Sequence, residues 1–256
     1  MITITGSKFV NGACLALNGS DEYATKVDPS FKANTSGFWH LRFRLNAVFT
    51  VDGVQVMVGY GASAAGNDST FYFGIRRYSV TGTGTFFSFL HRPTNGGTNC
   101  GYSATTTALA AGVWYDLILQ SDGSTYSCWI NNVSQTMTKW FTSGSNNNGD
   151  WYGDVSGVSH TMSIGSHWNN GPLAYFAGRL DEIGYIASRV STSTERTALY
   201  GGGTAVALTD VIPASDIKLY LRCGDSRDNA TTMYDESGNG NDFTLVNMDA
   251  SNYITP

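Results

Sequence analysis

The sequence predicts an all-β protein, a sandwich or barrel of short strands, with one short helix towards the C-terminal end. Three observations predict it. Charged residues are only 14% of the chain, against about 25% in an ordinary soluble domain, while aromatics reach 13% and glycine occurs 30 times. Apolar residues recur at every second position in short runs, the period of a strand with one buried face. Glycine, Asn, Asp and Ser break those runs at short intervals, which is the cadence of a sandwich or barrel. With 256 residues, 41% of them apolar, there is ample material for one core.

Taken in order, Ala13 to Leu17 reads as a short strand closed by the turn Asn18-Gly19-Ser20. Phe38 to Phe49 is longer. From Trp39 it alternates, with Trp39, Leu41, Phe43 and Leu45 on one face and His40, Arg42, Arg44 and Asn46 on the other, so it is expected to be half-buried. Val54 to Tyr60, Phe71 to Tyr78 and Phe86 to Leu90 follow, the last two joined by a turn at Thr81 to Thr85. Val113 to Gln120 and Thr125 to Asn131 flank Asp122-Gly123, a strong hairpin signal. After the polar aromatic loop Trp140 to Tyr152, Met162 to Ser166 and Ala174 to Ile186 are strands. Thr192 and Glu195 have capping-box spacing, and Gly201-Gly202-Gly203 closes the helix that follows. Ile217 to Cys223 and Phe243 to Val246 are the last strands. The chain reads as a single domain over 1–256. Its main sandwich covers about 8–190 and the helix 192–200. The strands within 204–256 have too little apolar material to stand alone and join the same sheets.

Charge and motif patterns exclude several functions. Net charge is −5 and no basic run exceeds Arg76-Arg77, so a protein that tracks nucleic-acid phosphates is not expected. No run of 18 apolar residues exists to span a membrane. The opening residues lack the basic-then-apolar layout of a signal peptide. Cys14, Cys100, Cys128 and Cys223 form no C-x-x-C pair and are expected as reduced thiols, with Cys14 and Cys128 buried in strand-like runs. The four glutamates, Glu22, Glu182, Glu195 and Glu236, stand apart, and no Glu-x-Asp-x-Glu occurs. Asp181 and Glu182 are adjacent, so in a regular strand they point to opposite faces. Glycoside hydrolysis needs two carboxylates flanking one bond, and His40, His91, His160 and His167 sit in no nucleophile or zinc motif. No catalytic residues are expected, and the protein reads as a non-enzyme.

Two other chemistries remain. Sugars stack their C–H faces on Trp and Tyr and pair their hydroxyls with Asn and Asp. Trp140, Asn147, Asp150, Trp151 and Tyr152, with Asn146 and Asn148, form one loop cluster of that kind, and Trp168 with Asn169 forms a second. The same aromatics would equally suit contact with a neighbouring subunit. The loop Asp235 to Asp242 (DESGNGND) offers oxygens suited to calcium, or else builds an ordinary Asx/Gly turn network.

Several segments resemble one family. Leu15 to Tyr23 (LALNGSDEY), the hairpin Trp114 to Asn131, and Phe176 to Ile186 (FAGRLDEIGYI) with the helix ending Ala198-Leu199-Tyr200 resemble the opening strand, central hairpin and closing strand of laminin-G-like, concanavalin A-like jelly rolls. Together they cover most of 10–200. The resemblance implies two curved antiparallel sheets of six or seven strands each. It also implies a calcium ion between a loop and the closing-strand aspartate, here Asp181 with Asp235 and Asn239. Leu219 to Asp225 and Asp235 to Leu245 look like a segment that usually opens the family's domain. Here it follows the closing helix, an order that resembles structural proteins of tailed bacteriophages. That implies a virion-exposed capsid-decoration or fibre protein assembled in the host cytoplasm. Its partners would be capsid or fibre proteins, copies of itself, and host-surface glycans. Met1 to Val10 and Asn247 to Pro256 are candidate arms for adding a strand to a neighbour. A free carbohydrate-binding module is the alternative.

Overall fold

A computed structural model describes residues 12–63, 68–77, 84–94, 97, 99–140 and 147–256. The N-terminal arm Met1 to Val10, turn residues 81–83 and Asn146 lie outside the described residues. The strands are β1 (Cys14–Asn18), β2 (Tyr23–Val27), β3 (Gly37–Leu45), β4 (Gly53–Ala62), β5 (Thr70–Arg77), β6 (Phe86–Arg92), β7 (Cys100–Ala104), β8 (Trp114–Ser121), β9 (Tyr126–Ile130) and β10 (Val133–Ser134). They continue with β11 (Met137–Lys139), β12 (His160–Ile164), β13 (His167–Trp168), β14 (Pro172–Leu173), β15 (Ala177–Ala187), β16 (Ile217–Leu221), β17 (Thr232–Met233), β18 (Phe243–Val246) and β19 (Tyr253–Ile254). The α-helix α1 spans Ser193–Tyr200.

Among the described residues the first sheet has eight strands in the order β10-β9-β8-β3-β15-β1-β19, with β16 also on β15. The second has nine, β11-β7-β6-β5-β4-β12-β2-β18-β17. The small hairpin β13–β14 stands beside them. Every strand pairing in the two large sheets is antiparallel. Each large sheet contains two strands from the C-terminal tail. Setting those aside leaves six and seven, the strand numbers that the resemblance implies.

The sheets meet over a core of rings: Trp39, Tyr60, Phe71, Phe73, Tyr152 and Tyr185 are at most 1% exposed. Trp39, Leu41, Phe43 and Leu45 face this core, as the alternation of β3 predicts. The other face of β3 is buried too, which a half-buried strand does not predict. Leu199 of α1 and Leu208 and Ile212 beyond it pack on Phe38, Ile118, Ile186 and Tyr220. The helix and the tail thus cover the first sheet's outer face. Helix boundaries follow the capping signals: Thr192 Oγ1 accepts from the Glu195 amide, and Gly201 ends the helix in a left-handed conformation (φ +54°). All four cysteines are buried thiols outside any disulfide.

β15 is the organising strand. Its first half pairs β1 and its second half pairs β16, on the side away from β3. Between the halves the register against β3 shifts at Asp181–Gly184. Glu182 takes φ +49° there, so the expected opposition of Asp181 and Glu182 fails. The Glu182 amide instead donates to Asp181 Oδ1 at 2.9 Å, and the two carboxyl groups act on each other electrostatically. The C-terminal arm is seated on its own sheet. β19 pairs β1, Asn252 Nδ2 donates to the Ala16 carbonyl, and Arg179 donates to the Thr255 carbonyl. A strand already paired within its own chain is not a free arm for a neighbour.

Candidate functional site on the outer face of the second sheet

Strand β5 sends Phe71, Phe73 and Ile75 into the core and leaves Thr70, Tyr72 and Arg76 on the outer face. Leu90 of β6 stands beside Tyr72 there. Trp140 follows β11 and lies flat over β7 at Gly101. A Cβ at Gly101 would sit 2.8 Å from Trp140 Cε3, so glycine is what admits the ring. The Arg76 guanidinium covers the ring at 3.8 Å from its centroid. Trp140 Nε1 donates to Ser103 Oγ at 2.9 Å. The Tyr72 ring stands 6.3 Å from Trp140 and 4.4 Å from His167. Three rings therefore run across the face as a floor.

The hairpin β13–β14 closes one side. It runs so close to β4 that a Cβ at Gly61 would sit 2.2 Å from the Trp168 carbonyl oxygen. Thr70 Oγ1 donates toward the Tyr60 and Trp168 carbonyls, at 2.9 and 3.4 Å, and is hydrogen-bonded to His167 Nε2 at 2.9 Å. Burial pushes the His167 imidazole down to about 4, with the Arg92 charge adding to the effect, so this ring is neutral. Arg92 Nε donates to Asn99 Oδ1 at 2.5 Å, and its guanidinium pairs with Asp68. Arg76 donates to the Tyr72 hydroxyl at 3.3 Å. Burial raises the Tyr72 phenol, and both arginines oppose that shift. Over the ring floor stands a half-buried rim of two guanidinium groups, a carboxylate, an amide and the Trp168 indole. Among the described residues, Ser88 Oγ and Trp168 Nε1 are buried without a hydrogen-bond partner.

The expected sugar-contact residues divide. Trp140 lies on this face, and Trp168 belongs to the hairpin that flanks it, with Asn169 in the β13–β14 turn. Trp140 is 1% exposed, so it supports the rim and offers no open ring to a sugar. The others lie elsewhere. Trp151 and Tyr152 are fully buried between the sheets, and Trp151 Nε1 donates to the Tyr185 hydroxyl at 2.9 Å. They are core residues and no stacking surface, because their rings complete the cluster of Phe31, Trp39, Phe71 and Tyr185. Asn147 spends both ends of its amide on the Tyr126 backbone, at 2.7 and 3.1 Å. Asp150 accepts from Asn148 Nδ2 at 2.5 Å, and burial raises its carboxyl. Sequence reading passed over Tyr72, Arg76, Arg92 and Asp68. The alternation of Thr70, Tyr72, Gly74 and Arg76 against Phe71, Phe73 and Ile75 was the available signal.

The calcium arrangement is not assembled. Asp235 accepts three backbone amides, from Tyr220, Ser237 and Asn241. Asn239 Nδ2 donates to the Ile217 carbonyl. Ile217 stands opposite Ile186 and Leu221 opposite Ile183, so Asp181 lies beyond the far end of β16. At about 3.3 Å per residue that separation exceeds roughly 13 Å, whereas calcium ligands stand about 2.3–2.6 Å from the ion. Asp181 and Asn239 cannot share one ion in this arrangement. The loop is a turn network that ties β16 to β18. Among the described residues, no three His, Cys, Asp or Glu side chains group as a metal site. A separate cleft of about 210 Å³ opens between Lys32, Ala33, Gly153 and His160, and none of the expected site residues lines it.

No protein-family model and no curated protein matches the chain in sequence. Solved structures do match in shape. The CBM40 of the Ruminococcus gnavus IT-sialidase, bound to α2,3-sialyllactose, superposes with a TM-score of 0.51 at 16% identity, over 73% of this chain and 98% of that one. A heptameric SAP-like pentraxin from Limulus polyphemus gives 0.52 at 10% identity, over 76% and 84%. The fold is a concanavalin A-like jelly roll. A putative carbohydrate-binding protein from Bacteroides ovatus ATCC 8483 gives 0.53 at 17% identity and covers 93% of this chain. This chain spans 61% of that protein's length. At these identities the likeness is one of fold.

Proposed function

We propose that this protein is a non-enzymatic glycan-binding domain that works through the outer face of its second sheet. The observation that carries the reading is the half-buried rim of Arg76, Arg92, Asp68, Asn99 and Trp168 over the floor of Tyr72, Trp140 and His167. Planar donors and acceptors pair with sugar hydroxyls, and the rings beneath fix their orientation. The fold shared with carbohydrate-binding modules supports the reading. The test is a glycan array on the purified chain, followed by titration calorimetry of the best ligand. Binding that Arg76→Ala weakens without unfolding the protein is expected; a chain that captures no glycan sinks the reading.

The order of the tail after the closing helix favours a setting for this activity, namely an exposed position on a tailed-phage particle beside capsid or fibre proteins. Particles purified by density gradient should contain the chain by mass spectrometry in more than one copy. Its absence from them would leave a free binding module.

A further inference from the structure

The other sheet carries a feature that glycan binding does not use. Glu182 is fully buried at a β-bulge in a left-handed conformation that side chains seldom adopt. One carboxyl oxygen, Oε2, accepts from the Tyr220 hydroxyl, and the other, Oε1, has no hydrogen-bond partner. The Tyr220 oxygen in turn accepts from the Leu208 amide at 3.2 Å. Leu208 lies against Gly184, where an added Cβ would sit 2.3 Å from Leu208 Cδ2. One hydrogen-bond chain therefore runs from the covering segment 201–212 down to a sealed carboxyl in the sheet.

We propose that segment 201–212 is a proton-held cover, seated on the first sheet while Glu182 is protonated and released locally when Glu182 ionises. A protonated carboxyl fits this enclosure, since it is neutral beside Asp181. An ionised one is a buried anion with a single donor and a second carboxylate next to it, and opening the cover lets water reach Oε1. The surrounding groups set the balance. Burial pushes the Glu182 carboxyl up to about 8, with Asp181 adding to it, and the Tyr220 hydrogen bond, Arg222 and Arg42 offset only part. Arg42 also donates to the Gly203 carbonyl at 2.8 Å, a second fastening of the cover. Across the bulge, His40 Nε2 and Asp116 form a buried pair at 2.7 Å. Burial holds the thiols of Cys14 and Cys223 far up. The cover's own Asp210 is exposed. The proposal concerns the opposite sheet from the sugar face and does not depend on the glycan reading.

Amide hydrogen exchange followed against pH tests it, with rates corrected for intrinsic base catalysis. Protection at Leu208 and Ile212 should fall by up to about tenfold per pH unit between the ordinary glutamate range and the Glu182 midpoint, levelling above it, and should stay level in Glu182→Gln. Tyr220→Phe, which cuts the chain but keeps the carboxyl, should lower protection at Leu208 about tenfold at every pH. A native protein whose protection does not fall, or a fall that Glu182→Gln shares, overturns the proposal. Should Glu182→Gln not fold, carbon-13 titration of the Glu182 carboxyl in the unsubstituted chain decides. A midpoint at which the loss of protection levels off supports the cover, and an ordinary glutamate midpoint of about 4 overturns it.

Discussion

The two outer faces of this sandwich are built alike and finished differently. On the second sheet, β5 and β6 present Tyr72, Arg76, Leu90 and Arg92 beneath a single small hairpin. On the first, β3 and β8 present Phe38, His40, Arg42, Asp116 and Ile118, and α1 with the following segment seals them. The alternation along β3 and β5 is the same, so the strands alone do not decide which face meets water. What covers them does. A covered face has to settle its polar groups internally, as His40 with Asp116 and Glu182 with Tyr220 do. A face left at half burial can spend its guanidinium and carboxylate groups on a ligand.

The comparison can be broken at several points. The largest effect is expected between the sheets: Trp151→Ala should cost about 3–5 kcal/mol in denaturant unfolding, because its ring touches Phe71, Tyr152 and Tyr185. If Trp151 were a sugar platform, glycan affinity would fall and stability would hold.

Next comes the response to acid. Burial pushes His91 and His167 down to about 4. A depressed pKa contributes stability that is present above the unfolded value of about 6.5 and lost as pH falls through the folded one. Thermal unfolding should therefore show a loss on the order of 1–3 kcal/mol between pH 6.5 and 4. Glu182 acts in the opposite sense. Its raised carboxyl contributes stability that is whole below the ordinary glutamate range and lost as pH rises through about 8. Stability should peak between the acid and alkaline losses, and Glu182→Gln should remove the decline that runs from the ordinary glutamate range up to about pH 8.

On the sugar face, Trp140→Ala should weaken glycan binding about tenfold by loosening Arg76, at roughly 1.4 kcal/mol. Calorimetry at matched folded fractions checks this. The smallest effect lies at the cover's helix: Thr192→Ala removes the cap and should cost about 1 kcal/mol, read as faster exchange in α1 with the second sheet unchanged.

Much of the fold was legible in the sequence because short-range physics wrote it. The alternation Trp39 to Leu45, the Asp122-Gly123 hairpin, and Thr192 with Glu195 and Gly201 each specify local geometry within a few residues. The candidate site was legible only in part. Trp140 and Trp168 were found because Trp beside Asn suggests a surface, yet the same composition misplaced Trp151 and Tyr152, which are core. Composition counts chemistry without direction. Tyr72, Arg76 and Arg92 lay in strands, where rings and charges look like ordinary sheet faces until the loop and hairpin around them are placed.

By itself the sequence determined the strand periods, the turns, the helix caps and the absence of a paired-carboxylate motif, because each depends on neighbours in the chain. Tertiary structure alone decided which face was covered, that Arg76 lies on Trp140, and that a bulge at Glu182 sets its amide on the Asp181 carboxylate. Those outcomes depend on contacts between separate segments of the chain, such as Arg76 with Trp140, 64 residues apart, and Leu208 with Tyr220, or on the register of β15 against its partners. No local rule carries that information.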